Sequence, residues 1–321
     1  MSKLKSILQS MLVILISFFL GLGIWYFRQT STVVQVVVDA KPLIQESGIT
    51  NLVILGVGGE GHEGGDLTDT ILIVSLRHKD NSVKLLSVPR DIWVDSFKIK
   101  INAAYHYGNE KGAGEGIKLA RTALTEVLGI PIHYSAVINF SGFIKLIDTI
   151  GGVDIVVQNS FDDYKYPIPG KENAEPESDR YEHLHFDAGN QHMDGITALK
   201  FARSRHALGD EGTDFARGKR QQQIITALKN KMLSNQTIFN LSTLNQIKNS
   251  LQTSIDTDIS NDYIRSFFEF GLLYKTGGSD IKSGSIENYL TNPKNLKPFG
   301  GAWVLIPNDD LKDYVATFLA E

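Results

Sequence analysis

Short apolar runs separated by polar turns begin near residue 50 of this chain. The segments 52–57, 71–76 and 83–88 are largely apolar, which is typical of short strands buried in a sheet. The turn-forming residues Lys79-Asp80-Asn81-Ser82 join the last two segments. The pattern therefore predicts three strands, the second and third of which are connected by a tight turn.

The next part of the chain alternates between helical and strand-like segments. Helical spacing of apolar residues is expected over 114–128 and 142–149, whereas 134–140 and 153–157 have the pattern of short strands. This alternation predicts an α/β sheet with helices on its faces. Residues 158–182 are polar and acidic and contain proline, so we expect an exposed excursion there.

Helical spacing returns in the second half of the chain. It predicts a helix over 194–202, a long helix over 215–233, and a final strand and helix over 302–306 and 310–319. No repeat or break in composition divides this region. We therefore expect a single domain over 49–321.

The amino-terminal region has the pattern of a membrane anchor. Residues 7–27 form a stretch of 21 residues without a charge, which is long enough to cross a bilayer as a helix. Lys3 and Lys5 precede it, so the positive-inside rule places the amino terminus in the cytoplasm. A cleaved signal peptide is the alternative, but its apolar region is usually shorter. The predicted segments are a cytoplasmic 1–6, a transmembrane helix 7–27, a spacer 28–48 and an extracytoplasmic domain 49–321.

Composition excludes several classes of function. The formal net charge is −4, which argues against a general nucleic-acid binder. The chain contains no cysteine, so disulfides, thiol catalysis and thiolate metal sites are excluded. His183 and His185 alternate like neighbours on one strand face, but no other histidine lies at a spacing typical of zinc.

One basic cluster departs from this acidic background. Because like charges repel, a cluster of this density indicates a bound polyanion or a set of acidic partners. Arginine offers planar, bidentate donors that suit phosphate groups. The cluster consists of Arg203, Arg205, His206, Arg217, Lys219 and Arg220.

The helix that contains the last part of the cluster predicts which arginines face inward. If Asp214 caps this helix, Arg217 and Gln221 lie on its apolar stripe. Arg220 then lies on the flank of the stripe and Lys219 on the far side. The stripe consists of Ile224, Ile225, Leu228 and Met232.

A glycine-rich loop, 58–66, follows the first predicted strand. Glycine lets the backbone approach a ligand closely, and successive N–H groups can hold phosphate oxygens. Mg²⁺ favours a few carboxylates together with phosphate oxygens, and the carboxylates that could bind it here are Glu60, Glu63, Asp66 and Asp69. The alternative is a solvated acidic loop in which Asp69 is only a cap.

A third group of polar residues, Pro89-Arg90-Asp91, follows another apolar strand. Arg90 could bind a phosphate bidentately, and Asp91 could hold Arg90 by an ion pair. The alternative is a purely structural Arg–Asp pair that closes a turn.

The order of these motifs along the chain resembles that of the LytR-CpsA-Psr family of cell-envelope proteins. The resemblance extends from about Asn51 to Lys231 and covers most of the expected extracytoplasmic domain. The motifs that carry it are Thr68-Asp69-Thr70, Ser87-Val88-Pro89-Arg90-Asp91, Lys100-Ile101-Asn102-Ala103-Ala104-Tyr105, Ile150-Gly151-Gly152-Val153 and the arginine cluster.

The resemblance implies a three-layer α-β-α domain with a central mixed sheet, behind one transmembrane helix of the bacterial cytoplasmic membrane. It implies a phosphotransferase that moves a polyprenyl-(pyro)phosphate-linked glycopolymer onto peptidoglycan or another envelope acceptor, with Mg²⁺ assisting. The implied partners are therefore the lipid-linked glycan, the acceptor and the bilayer, and no nucleic acid.

The resemblance also assigns roles to individual residues. Asp69 is the implied metal ligand, and Asp66 of the glycine-rich loop is a second candidate. Apart from the resemblance, the mechanism needs a carboxylate that accepts the proton of the acceptor hydroxyl, and Asp214 and Asp91 are the candidates. The residues expected to bind the pyrophosphate are Arg90, Arg203, Arg205, Arg217, Arg220 and Gln221.

Two positions depart from the family pattern. Gly58 stands where the family commonly has Asp, and Leu67 where it commonly has Arg. These changes keep open the alternative of a non-catalytic polyprenyl-phosphate-binding protein. A second alternative is a polyprenyl-pyrophosphate phosphatase or pyrophosphatase, in which water replaces the sugar acceptor. A role as a transcription regulator conflicts with the expected topology, because the arginines would lie on the opposite side of the membrane from the DNA.

Overall fold

A computed structural model describes most of the chain beyond residue 40. The transmembrane helix predicted over 7–27, Asp214 and Gln221 lie outside the described residues. Among the residues that are described, no helix is long and apolar enough to cross a membrane. The described ranges are 41–62, 64–213, 255–260 (with gaps on either side) and 282–321, together with scattered residues between 216 and 231 and between 262 and 270.

The described chain divides into two compact units. The first, here called the sheet unit, contains the described residues of 34–59, 64–139 and 255–321. The second, the arginine unit, contains those of 60–63 and 140–254. The chain therefore leaves the sheet unit after residue 139 and returns to it at residue 255.

Short strands and a few helices make up both units. The strands are β1 (Ile49–Val57), β2 (Thr68–Arg77), β3 (Ser82–Ser87), β4 (Trp93–Val94), β5 (Ile99–Lys100), β6 (Tyr134–Asn139), β7 (Val153–Val157), β8 (Phe161–Pro167), β9 (Tyr181–Phe186), β10 (Gly189–Met193), β11 (Ile255–Thr257), β12 (Lys282–Ser285), β13 (Leu290–Thr291) and β14 (Ile306–Pro307). The α-helices with described bounds are α1 (Ala104–Asn109), α2 (Glu115–Leu128), α3 (Phe140–Thr149), α4 (Gly195–Arg203) and α5 (Leu311–Ala320).

A six-stranded mixed sheet forms the centre of the sheet unit, in the order β11-β6-β1-β2-β3-β12. β1, β2 and β3 pair antiparallel, whereas β6 lies parallel to β1 and β12 parallel to β3. The predicted strands 52–57, 71–76, 83–88 and 134–140 correspond to β1, β2, β3 and β6. The prediction of a mixed α/β fold with a central mixed sheet is confirmed.

One face of this sheet packs against helices. Val53, Leu55 and Val57 alternate along β1 and are buried on that face. They share one apolar core with residues of α1, α2 and α5. Gly129 ends α2 in the left-handed conformation, with φ of 70°. The buried residues of α2 recur at helical spacing and are Gly116, Ile117, Ala120, Ala123, Leu124, Val127 and Leu128.

Aromatic residues cover part of the opposite face. Tyr134 pairs with Leu52 of β1, and its ring centroid lies 5.0 Å from that of Phe267. His78, directly after β2, contacts Phe270 with a centroid distance of 5.4 Å. Both phenylalanines are helical residues, so helical structure contributes to both faces of the sheet.

Two cationic side chains of β2 and β3 hold the carboxyl end of α5 against the sheet. Lys84 of β3 is 2% exposed, and its Nζ donates a hydrogen bond to the carbonyl oxygen of Phe318. Arg77 Nη1 donates to the carbonyl oxygen of Ala320 at 2.6 Å. Positive charge at this position also complements the helix dipole. Burial, with smaller contributions from Arg77 and Lys282, lowers the pKa of Lys84 to about 8.

The arginine unit contains two antiparallel strand pairs, β8 with β9 and β7 with β10. The predicted exposed excursion over 158–182 is therefore partly wrong, because residues 161–167 form β8. Phe161, Asp163 and Tyr166 of this strand are buried. Because polar residues surround them and one of them is an aspartate, the hydropathy pattern does not show which positions face inward.

Helix α4 confirms the helix predicted over 194–202. Asp194 caps it by accepting a hydrogen bond from Thr197 N at 2.7 Å. α4 begins close to α3, since a Cβ atom added to Gly195 would lie 2.3 Å from the carbonyl oxygen of Ile144. Only glycine fits at this position, and it brings the two helices together.

The buried Lys84 predicts a specific pH dependence of stability. Its folded-state pKa of about 8 lies below the value of about 10.4 for an unfolded lysine. The unfolded chain therefore binds more protons between these values, and Lys84 makes the free energy of unfolding rise with pH there, by up to about 3 kcal/mol. Urea denaturation from pH 7.5 to 10.5 should show this rise in the wild type relative to Lys84→Met. The exposed Lys282→Met is the matched control, and parallel pH curves for wild type and Lys84→Met would contradict the prediction.

Candidate functional site

Strand pairing in the sheet unit brings Asp69 and Arg90 together. Asp69 is near the start of β2, and Arg90 lies just beyond the end of β3. Because these strands are antiparallel, the start of one lies beside the end of the other. Arg90 Nη1 forms an ion pair with Asp69 Oδ1, and the two side chains remain 37% and 49% exposed. Two residues predicted from separate motifs therefore form one pair.

Asp91 lies between two cations. Lys100 Nζ donates to Asp91 Oδ1 at 2.7 Å, and Arg90 Nε lies 3.5 Å from Asp91 Oδ2. The backbone fixes this arrangement, since Asn102 N donates to the carbonyl oxygen of Arg90 at 3.2 Å. Burial acts to lower the pKa of Arg90, but Asp69 and Asp91 raise it above its usual value. The Arg–Asp pair considered as a structural alternative is thus present, and Asp69 extends it.

Asp66 pairs with His106 in the same unit. Asp66 Oδ2 lies 3.9 Å from His106 Nδ1, and Glu110 Oε1 lies 3.6 Å from His106 Nε2. Within the described part of the chain, no group of three or more His, Cys, Asp or Glu side chains is arranged to hold a metal ion. A metal site here would therefore depend on one or two carboxylates and on oxygens from the ligand.

Arg203, the last residue of α4, lies against aromatic rings of the arginine unit. Its guanidinium carbon is 4.3 Å from the ring centroid of Phe140 and 5.7 Å from that of Tyr166. Arg203 Nη1 also donates to the hydroxyl of Tyr166 at 3.3 Å. Among the described residues, no carboxylate forms an ion pair with Arg203. A half-buried positive charge on an aromatic surface is suited to an anionic ligand.

A buried carboxylate organises the residues that follow Arg203. Asp163 of β8 is 0% exposed and accepts hydrogen bonds from Ser204 Oγ at 2.7 Å and from the backbone N–H groups of Arg205 and His206, both at 3.1 Å. Burial acts to raise the pKa of Asp163, but these donors outweigh it and lower the pKa. The turn is fixed in this way, and the side chain of Arg205 lies exposed beyond it.

Arg220, predicted as a phosphate ligand, uses its donors within the protein. It is 2% exposed and stacks on Phe161, with 4.7 Å between its guanidinium carbon and the ring centroid. Arg220 Nε donates to the carbonyl oxygen of Phe201 at 3.1 Å, and Nη2 to that of Ser204 at 2.7 Å. Nη1 donates to both the carbonyl oxygen and Oε2 of Glu211, each at 2.9 Å. Arg220 therefore positions the carboxyl end of α4.

The predicted orientation of the helix after residue 215 is partly wrong. Lys219 is exposed as predicted, and Arg217 is half-buried, but Arg220 is buried instead of lying on the flank. The observed buried stripe contains Ile224 and Leu228, as predicted, and it also includes Arg220. Its described members are Ala216, Arg220, Ile224, Ala227 and Leu228.

Several residues that surround the arginine cluster were not predicted from the sequence. Phe140 and Tyr166 have no motif around them, and Asp163 lies in the segment predicted to be an exposed excursion. His62 of the glycine-rich loop lies with its ring edge-on to Phe140, with a centroid distance of 5.1 Å. The sequence carries no signal for Asp163 or Tyr166, because the buried positions of β8 stand among polar residues.

The chain matches the profile of the LytR_cpsA_psr family over residues 27–313. Because this match covers most of its length, the chain belongs to that family. The resemblance noted from the five motifs is thereby confirmed.

Individual relatives agree with this assignment. The chain is 29% identical over 223 residues to the polyisoprenyl-teichoic acid–peptidoglycan teichoic acid transferase TagU of Bacillus cereus, covering 68% of this chain and 63% of that protein. It is 31% identical to the regulatory protein MsrR of Staphylococcus aureus, covering 81% of this chain and 71% of that protein. The crystal structure of Bacillus subtilis TagV superposes with a TM-score of 0.58 at 25% identity, covering 86% of this chain and 97% of that one.

The network around Asp163 predicts a large loss of stability when its charge is removed. Asp163→Asn keeps the shape of the side chain but loses charge-assisted hydrogen bonds, so the free energy of unfolding should fall by about 3 kcal/mol. The lowered pKa means that this stabilisation is present above about pH 4 and is lost as the pH falls through the folded-state value. Urea denaturation at pH 7 and pH 3 measures both effects.

Asp162→Asn is the matched control, because Asp162 is the adjacent residue and contacts His183 and His185 on the surface. Such surface pairs contribute about 0–1 kcal/mol. Equal losses in Asp162→Asn and Asp163→Asn would contradict the role given to Asp163.

Proposed function

We propose that this protein is a membrane-anchored transferase that moves a glycopolymer from a polyprenyl-pyrophosphate carrier to peptidoglycan or another cell-envelope acceptor. The observation that carries the proposal is Arg203, a half-buried arginine on aromatic rings that forms no ion pair with any described carboxylate. Such a charge is stabilised by an anionic ligand. Membership of the family adds the chemical class of that ligand.

The names of the relatives support the choice of substrates. The Bacillus cereus relative is named as a transferase of polyisoprenyl-linked teichoic acid to peptidoglycan. The chain spans only 63% of that relative's length. The identity of the polymer and of the acceptor in this protein is therefore part of the proposal.

The proposed reaction is a displacement at phosphorus. The acceptor hydroxyl oxygen forms a bond to the phosphorus that carries the glycan, and the bond from that phosphorus to the bridging oxygen breaks. Polyprenyl phosphate leaves with the electron pair, and the proton of the hydroxyl passes to a base. Cationic groups favour this reaction because negative charge develops on the leaving phosphate.

The arginines take different roles in this proposal. Arg90, Arg203, Arg205 and Arg217 bind phosphate oxygens of the donor, whereas Arg220 acts through the backbone that it holds. Gln221 and Asp214, which lie outside the described residues, keep their predicted roles as a phosphate ligand and a candidate base.

The proposal includes Mg²⁺ as an assisting ion. Mg²⁺ keeps several waters and needs only one or two carboxylates together with substrate phosphates. Asp69, 49% exposed beside Arg90, fits that requirement, and Asp66 is a second candidate in the same unit. When bound, the ion supplies positive charge that stabilises the phosphate oxygens.

The location is proposed from the amino-terminal pattern. Residues 7–27 form a single transmembrane helix with the amino terminus in the cytoplasm. Residues 28–48 are the spacer, and 49–321 form an extracytoplasmic α-β-α domain. This topology places the arginines on the side of the bacterial cytoplasmic membrane where the envelope polymers are assembled.

The transferase is tested with the full-length chain in detergent micelles. It is incubated with a short polyprenyl-pyrophosphoryl saccharide, a peptidoglycan fragment, and either Mg²⁺ or EDTA. We expect saccharide on the peptidoglycan fragment and release of polyprenyl phosphate, with lower yield in EDTA. Release of phosphate without transfer would indicate a pyrophosphatase instead. Binding without turnover would indicate the carrier-binding protein that Gly58 and Leu67 make an alternative.

A pair of substitutions tests the arginine cluster separately from turnover. Arg203→Gln removes the half-buried charge and should weaken donor binding by about 10-fold to 100-fold, since a charge-assisted contact contributes roughly 1.5–3 kcal/mol. Lys219→Gln is the control in the same cluster, because Lys219 is exposed and donates to Gln158 Oε1. Fluorescence titration with a labelled polyprenyl pyrophosphate measures both. Equal losses in the two variants would show that only the total charge matters.

A further inference from the structure

His62 lies beside the arginine that is proposed to bind the donor. The glycine-rich loop brings its ring edge-on to Phe140, with 5.1 Å between the ring centroids. The same Phe140 ring carries the guanidinium of Arg203 at 4.3 Å. One aromatic ring of the arginine unit therefore contacts both an imidazole and a phosphate-binding arginine.

The imidazole is able to accept a proton. None of the described residues forms a hydrogen bond or an ion pair with its ring nitrogens, and the ring is half-buried. Burial, and then the positive charge of Arg203, lower the pKa of His62 below its usual value, and Glu172 opposes this effect. At neutral pH the ring is therefore uncharged and keeps one nitrogen with an available lone pair.

The carboxylate predicted as a base in the sheet unit is less suited to this task. Both oxygens of Asp91 face cations, Lys100 Nζ at 2.7 Å and Arg90 Nε at 3.5 Å. If Asp91 left these partners for proton transfer, Lys100 would lose its carboxylate, and Arg90 would keep only Asp69. His62 has no such partners among the described residues.

We propose that His62 is the proton acceptor for the attacking hydroxyl of the acceptor glycan. This inference rests on the proposed transferase function. As the hydroxyl oxygen bonds to phosphorus, its proton moves to the free imidazole nitrogen, while polyprenyl phosphate leaves with the electron pair. The imidazolium then returns its proton to water.

The test compares transfer rates of the full-length chain across pH 5 to 9. The wild-type rate should fall on the acid side as His62 becomes protonated. His62→Gln should lower kcat by about 100-fold or more and lose that acid limb, because general-base catalysis contributes roughly 100-fold to 10,000-fold. Donor binding, measured with a labelled polyprenyl pyrophosphate, should change by less than about 2-fold. Added imidazole should partly restore the rate of His62→Ala.

The control is His183→Gln, since His183 lies on β9 and its ring bonds to Asp162. It should keep the wild-type rate and pH profile. If His62→Gln also keeps both, the proposal is overturned while the transferase remains. If Asp214→Asn rather than His62→Gln removes the acid limb, the base is Asp214. If the wild type transfers nothing, the proposed function fails first, and the role of His62 fails with it.

Discussion

The buried carboxylate of Asp163 is the interaction on which the arginine cluster depends. It stands in β8, and it holds the turn after α4 through the hydroxyl of Ser204 and two backbone N–H groups. A charged group without solvent is stable only when donors surround it. The same requirement fixes the turn, because movement of Arg205 or His206 would take two backbone donors away from the carboxylate.

Arg203 and Arg220 show how burial separates two uses of the same side chain. Arg220 is enclosed, and three carbonyl oxygens and one carboxylate consume its donors. Arg203 is only half-buried, and the faces of Phe140 and Tyr166 support it without neutralising it. Arg220 thus holds the turn together, and Arg203 keeps its charge for a ligand. Sequence proximity alone gives them the same apparent role.

Four of the six strands of the sheet, β1, β2, β3 and β6, were predictable because they are short apolar runs, and the tight turn after residue 78 predicts the pairing of β2 with β3. The pair of Asp69 and Arg90 was predictable only as two separate motifs, since their contact depends on the antiparallel register of β2 and β3. Asp163 was not predictable, because its partners lie about forty residues away, and two of them are backbone N–H groups, which nearly every residue has. Arg220 was predicted on the flank of its helix's apolar stripe but is buried, because helical spacing gives the direction of a side chain and not how far packing covers it.

The interruption of the sheet unit between residues 139 and 255 has a consequence for the growing chain. β11 and β12 form the two edges of the sheet, next to β6 and β3, and both are made after the whole arginine unit. A nascent or truncated chain that stops before residue 255 therefore carries β3 and β6 as unpaired edges. Unpaired edges associate with other strands. Premature termination should consequently produce aggregation, even though all of the candidate arginines are already present.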